Sequence, residues 1–256
     1  SISGAAYQSG MAGISGDSTK VVKATVGSRS ALTCTATTGT HRAVWQNNAV
    51  CPSAGAVGTS TDTGARALAV DAWVAFSTLS ISTGTVSDLL TWTISDPGWS
   101  TSSLRYCHLS AYYDGAAYSL LFRSRLATET AYDTASLGTI AADSAYHAAS
   151  LWIFRDKVYF TFAGGTASSA TFTTAQTATV YAAFPTMVWT GGACIAAWDA
   201  LRMAVEEYPL SATARTSVCN GHNDDGVLYL VEKTALAGLV AAGTAYELAI
   251  TAGAFT

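Results

Sequence analysis

Apolar and polar residues alternate with a period of two over much of the chain's middle. Over residues 66–80, Val70, Ala72, Val74 and Phe76 share one parity, while Asp71, Trp73, Ala75 and Ser77 take the other. β-Branched and aromatic residues in that rhythm predict a strand. Leu89–Ile94 predicts another, stopped by Asp96-Pro97-Gly98. Arg105–Tyr112 and Tyr118–Arg125 flank Asp114-Gly115, a tight-turn dipeptide, so 105–125 is expected to be a hairpin. Ser150–Phe154 and Val158–Phe162 form a second expected hairpin around Arg155-Asp156-Lys157, ended by Gly164-Gly165.

Farther on, Thr179–Ala183 and Thr186–Trp189 are short predicted strands separated by Pro185. Ala196–Val205 alternates again, with Leu201, Met203 and Val205 on one face, until Pro209. Beyond a polar loop at 211–225, Val227–Val231 and Tyr246–Thr251 are expected strands. Ala235–Ala242 is the best helical segment, but Gly238 and Gly243 make a loop equally compatible. Residues 1–60 are rich in Gly, Ala, Ser and Thr, with short strand-like pieces at Lys20–Val26 and Ala43–Gln46. They are expected to form an arm or small subdomain that needs a partner surface. Many strands with turns every eight to twelve residues predict an all-β sandwich or barrel.

Composition sharpens this picture. Apolar residues make up 50% of the 256, enough for a large core, while charged residues are only 12%. The surface must therefore rest on Ser, Thr, Gly and amides, a style that suits extracellular or assembling proteins. Net charge is −4 with no basic run, so neither nucleic acid nor an anionic membrane is an expected partner. No apolar window is long and uninterrupted enough to predict a membrane-spanning helix, and no signal-peptide pattern is visible. The five cysteines, Cys34, Cys51, Cys107, Cys194 and Cys219, include no CxxC spacing. Cys34 and Cys51 bracket a polar loop and are a candidate disulfide; the alternative is five buried thiols.

Motifs for catalysis are sparse. Glu206 and Glu207 are adjacent, so on a strand they face opposite sides, and no alternating acidic pattern places two carboxylates together for glycosidic hydrolysis. His41, His108, His147 and His222 lack metal-ligand spacing. His108 neighbours Cys107, but consecutive strand residues point apart and cannot form a nucleophile–base pair. Asn220–Gly226 superficially resembles a calcium loop, but Gly221 stands where its first ligand is required. No cofactor is expected; calcium would need a site that no motif supports. Four residues form the candidate ligand site: Trp99 in a loop, Tyr112 and Tyr113 before a turn, and Asp114 in it. These rings either stack on sugars, with Asp114 accepting hydroxyl hydrogen bonds, or cap the sandwich edge.

YHAASLWIFRDKVYFTFAGG (Tyr146–Gly165), FPTMVW (Phe184–Trp189), AAWDALRMAVEEY (Ala196–Tyr208) and AVDAWVAF (Ala69–Phe76) carry a family pattern. Across residues 61–209 they resemble the concanavalin A-like lectin/glucanase superfamily, including its laminin G-like jelly rolls. The resemblance implies a two-sheet antiparallel jelly-roll sandwich at 61–209, between the polar arm at 1–60 and a C-terminal β extension at 210–256. The Arg-Asp-Lys hairpin turn departs from the pattern in lacking glycine. Such jelly rolls occur in lectins, carbohydrate-active enzymes and phage virion proteins. The expectation drawn is a non-enzymatic virion surface protein, either head decoration or tail adhesin. Its expected partners are other virion subunits or its own copies, together with a cell-surface glycan. A secreted extracellular lectin is the alternative, and a carbohydrate-active enzyme the third reading.

Overall fold

A computed structural model describes residues 11–15, 19–45, 57–61, 66–96, 100–176, 181–182 and 186–207. Fifteen strands follow in chain order: β1 Met11–Ser15, β2 Val21–Val26, β3 Arg29–Cys34, β4 Thr40–Trp45, β5 Arg66–Leu79, β6 Val86–Ser95, β7 Arg105–Tyr113 and β8 Tyr118–Leu126. Then come β9 Asp133–Ile140, β10 His147–Ile153, β11 Lys157–Phe162, β12 Ser168–Thr171, β13 Tyr181–Ala182, β14 Thr186–Thr190 and β15 Cys194–Glu207. No helix occurs among the described residues. The expected hairpins are present as β7–β8 and β10–β11. The segments expected at 227–231, 235–242 and 246–251 lie outside the described residues.

The strands run in the order β12-β11-β10-β5-β15-β14-β6-β7-β8-β9, antiparallel throughout. This sheet folds over on itself. Val70, Val74, Phe76 and Leu151 from one half share a core with Leu90, Trp92, Leu109 and Phe122 from the other. Alternation on each strand sends one set of side chains into that core, which is how a two-layer sandwich buries its apolar residues. The layers approach closely where β9 meets β11: a Cβ on Gly138 would lie 2.7 Å from the Phe162 ring. The all-β, antiparallel sandwich expected from the sequence is therefore what forms.

Over its described part, the segment expected at 1–60 to form an arm or small subdomain pairs with strands of the sandwich. β3 pairs with β15 at Trp198↔Leu32, and β4 pairs with β14 over five residue pairs from Thr186↔Val44 to Thr190↔Thr40. Val21, Leu32 and Ala43 are buried in the common core. These strands are short and rich in small residues, so their apolar pattern is faint, yet the sandwich covers them. Cys107 and Cys194 are buried thiols, and burial pushes each up to about 12. Cys34 is buried; Cys51 and Cys219 lie outside the described residues.

One row of polar side chains ties three strands together. Asp71 is 2% exposed. Its Oδ1 accepts a short hydrogen bond from Ser150 Oγ, and its Oδ2 accepts from Arg202 Nε at 3.1 Å and Nη2 at 2.8 Å. The register places Ser150 and Arg202 directly opposite Asp71 on either side. Arg105, a fully buried cation, donates to Ser124 Oγ at 3.1 Å and to the Thr174 carbonyl, and stacks 4.2 Å from the Phe172 ring centroid. Removing one partner of a buried ionic group leaves the other desolvated and unmatched. Asp71→Ala is therefore expected to cost about 3 kcal/mol, read as a lowered midpoint in urea unfolding with an unchanged slope.

Candidate binding face

Strand parity builds the site. On β7, Cys107, Leu109 and Ala111 enter the core, so Tyr106, His108, Ser110 and Tyr112 point outward. On β8, Leu120 and Phe122 enter the core, so Arg123 and Arg125, of the opposite parity, face outward. Cross-strand register aligns Thr91, His108 and Arg123 in one row, and Thr93, Tyr106 and Arg125 in the next. Thr186 of β14 extends the first row, and Arg42 of β4 stands opposite Val188.

Tyr132 leans over this face from the loop before β9. Its ring packs edge-on to His108 at 5.4 Å between centroids, with the hydroxyl 3.4 Å from His108 Nε2. The Arg123 and Arg125 guanidinium carbons lie 4.3 and 5.1 Å from the Tyr132 centroid, and Arg125 also lies 4.9 Å from that of Tyr106. Cations over aromatic faces hold both partners in place. On the other side of His108, Nδ1 faces Asp88 Oδ2 at 3.4 Å. Asp88 also accepts from Ser110 Oγ at 2.7 Å and has Arg123 Nη1 at 3.6 Å. Partial burial pushes the Asp88 carboxyl upward, but His108, Ser110 and Arg123 outweigh it and hold the group below its ordinary range.

Two open depressions lie on this side of the sandwich. One, about 370 Å³, is bounded by Arg42, Thr91, Thr93, Tyr106 and His108. The other, about 420 Å³, is lined largely by hydroxyls, including Thr40, Ser80, Ser82, Thr85 and Thr190. Arg42, Asp88 and Val188 border both, and Asp88 is the one carboxylate lining either. The face therefore offers cations, ring faces and hydroxyls rather than a carboxylate pair. No cluster of metal-ligating side chains occurs among the described residues.

The residues singled out in the sequence fare differently. Tyr112 shares this outer face and stands opposite Val86, which borders the hydroxyl-lined depression. Tyr113 stacks on Tyr118 at 4.4 Å, packs against the core, and donates its hydroxyl hydrogen to the Gly115 carbonyl at 2.9 Å. Asp114 Oδ1 accepts from the Ala116 and Ala117 amides at 2.7 and 2.8 Å, so its carboxylate closes the turn. Those amides hold it below the ordinary carboxylate range. Trp99 lies outside the described residues. No sequence motif gives Tyr106, Arg123, Arg125, Tyr132, Asp88 or Arg42 a role, and His108 is considered there only as a metal ligand and as a partner for Cys107. Parity on β7 and β8 was the available signal.

No protein-family model matches the chain, and no curated protein matches it. Among solved structures, it is similar to an alginate lyase from Klebsiella pneumoniae at 7% identity, covering 71% of this chain and 83% of that one, with TM-score 0.43. It is also similar to a glycoside hydrolase family 16 endo-glucanase from Bacteroides ovatus: 12% identity, 73% and 86% coverage, TM-score 0.44. A third is the winged bean acidic lectin complexed with methyl-alpha-D-galactose: 9% identity, 78% and 95% coverage, TM-score 0.42. These structures are concanavalin A-like jelly rolls, the class the sequence resembles. Two of them are enzymes and one is a lectin.

The Asp88 contacts give a pH prediction. A carboxylate with a depressed folded-state pKa stabilises above its unfolded value and stops doing so as pH falls through the folded one. Asp88→Asn is expected to be less stable than the parent at neutral pH. The gap should begin to close below about pH 4 and vanish in stronger acid. A gap that stayed constant down to strong acid, in melts across that range, would remove the ion-pair account of Asp88.

Proposed function

We propose that the protein is a lectin-like glycan-binding protein and that it binds through the outer face of β4, β14, β6, β7 and β8. The observation that carries this reading is the outward row of Tyr106, His108, Arg123 and Arg125 beside an open depression. Aromatic faces stack on sugar rings, and guanidinium groups donate several hydrogen bonds to hydroxyl or acidic oxygens. The setting we propose is a virion surface, as decoration or adhesin, in contact with other virion subunits or its own copies; secretion is the alternative. Support for that setting is compositional: 12% charged residues and a surface resting on Ser, Thr and Gly.

Tyr106→Ala and Arg123→Ala are each expected to weaken glycan binding about tenfold, roughly 1.4 kcal/mol, in titration calorimetry against a ligand found on a glycan array. Tyr113→Ala should change the melting temperature and leave affinity unchanged. Full affinity in both of the first two variants would move the site off this face. Co-sedimentation of the protein with nuclease-resistant particles from its source at fixed stoichiometry would support the virion setting, whereas recovery in the soluble fraction would favour secretion.

A specific observation favours a second reading. Asp88, His108 and Tyr132 line up with contacts of 3.4 Å each, a carboxylate–imidazole–phenol series that acid–base chemistry would use once substrate binding shortens them. A carbohydrate-active enzyme working through that chain would generate new chain ends in a polysaccharide screen and lose that activity in His108→Ala. A blank screen with the parent protein would leave the binding reading alone.

A further inference from the structure

Arg42, Asp88 and Val188 border both depressions, so the two are arms of one groove that meet beside a single arginine. Arg42 is exposed and, among the described residues, has no ion-pair partner. Beside the groove, Arg123 shares Asp88 with His108, so one carboxylate serves two basic side chains. Arg125 donates to the Glu129 carbonyl at 2.7 Å, while the Glu129 carboxylate accepts from the Leu126 amide at 2.7 Å. Over the outer face as a whole, then, three arginines, Arg42, Arg123 and Arg125, accompany the two carboxylates Asp88 and Glu129, although the chain as a whole carries a net charge of −4. A local positive strip on an acidic protein attracts anions by its own field.

The arms differ in chemistry. The arm beside Tyr106 and His108 carries a phenol ring, an imidazole and the threonine hydroxyls of Thr91 and Thr93. The other arm carries hydroxyls and Val86, which is 38% exposed, with Tyr112 opposite it. Four strand steps separate Arg42 on β4 from Arg123 on β8, on the order of 20 Å at ordinary strand spacing. The Arg123 guanidinium reaches back to Asp88, and the groove runs past Asp88 and Arg42 in both directions, so a single sugar fills one arm whereas a chain of several fills both.

We propose that the ligand is an acidic oligosaccharide or polysaccharide lying along both arms. A carboxylate or sulfate sits on Arg42, a second acidic group lies toward Arg123, and uncharged hydroxyls meet the Ser/Thr-lined arm. The proposal rests on the glycan-binding reading above and adds the charge class and length of the ligand. Discrete charges at this spacing suit a polymer whose acidic groups recur along its length. The groove has no continuous basic run that would follow a phosphate at every unit.

The test measures binding of the full chain to polygalacturonate, dextran sulfate, neutral dextran and single-stranded DNA by affinity electrophoresis and calorimetry. Binding to polygalacturonate or dextran sulfate well above dextran and DNA is expected, and the better polymer identifies the acidic group as carboxylate or sulfate. Arg42→Ala is expected to weaken that binding about tenfold or more, as loss of a charge-assisted hydrogen bond does, with an unchanged melting temperature because Arg42 is exposed. Arg42→Lys should recover part of the loss. Val86→Trp, which narrows the hydroxyl-lined arm, should weaken binding of the polymer and spare a disaccharide of the same sugar. Unchanged affinity in Arg42→Ala, or equal binding of DNA, overturns the proposal. If dextran binds as well as the acidic polymers and Tyr106→Ala abolishes it, glycan binding stands and the acidic class falls. If no glycan of either kind binds, both readings fall.

Discussion

The buried Asp71 carboxylate fixes the register on which the rest of the sandwich depends. It sits in the middle of the longest strand pairing, with Ser150 on one side and Arg202 on the other. A slip of one residue on β10 or β15 would bury the carboxylate against an apolar group and turn each core residue of that strand toward solvent. The ion pair therefore contributes less as net stabilisation than as selection among pairings, because the alternatives leave a charge uncompensated. The register is not uniform along β15: it shifts between Asp199 and Arg202, and Ala200 takes φ of 48°. That bulge inserts an extra residue, so Ala196 and Trp198 point inward before it and Met203 and Val205 point inward after it. Without it, Arg202 would not arrive opposite Asp71.

The same pairing positions the binding face. β15 begins at the turn from β14, where Thr190 pairs with Cys194. β14 then places β4 on one edge and β6 on the other. Arg42, from an early and sequence-remote strand, thus comes to lie in one surface with His108 and Tyr106. The two outer faces end up electrostatically distinct. On the β10-β5-β15 side the arginines are matched: Arg202 with Asp71, and Arg29 with Asp199 at 2.9 Å, the latter also lying over Trp73 at 4.2 Å. On the β6-β7-β8 side one partly exposed carboxylate faces a histidine and an arginine, with a further arginine across the groove. The first arrangement satisfies itself; the second retains capacity for an anion.

Much of the fold was legible because large apolar residues alternate cleanly where strands are buried on one face. Val70, Val74 and Phe76 on β5 and the runs flanking Asp114-Gly115 show it directly. Residues 1–60 show only the strand-like pieces at Lys20–Val26 and Ala43–Gln46 and suggest an arm or small subdomain, because alanines such as Ala31 and Ala43 carry little periodic signal, although they are buried as fully as leucines. The site was less legible. Sequence motifs are contiguous in the chain, whereas this face is assembled from single residues on five strands. Exposed aromatics beside a turn drew attention to Tyr113 and Asp114, yet the chemistry that makes Asp114-Gly115 a good turn uses the Asp carboxylate to close it. A turn-forming aspartate is a poor candidate for ligand contact for that reason.

The side chains on the face are also held before any ligand arrives. Tyr132 is fixed by His108 at its edge and by guanidinium groups near its ring, and those guanidiniums project from a β strand rather than a loop. Arg125 is further anchored by the Glu129 carbonyl. Ordering a long arginine on binding costs about 0.5–1.5 kcal/mol of side-chain freedom, and here most of that cost falls on folding instead. Arg42 lacks such anchors among the described residues, so it is the group whose freedom a ligand must restrict. An asymmetric groove of this kind, rigid at one end and adaptable at the other, tolerates variation in where the second acidic group falls along a chain. That suits a repeating polymer, whose register against the face is set at the rigid end and need not be fixed at both.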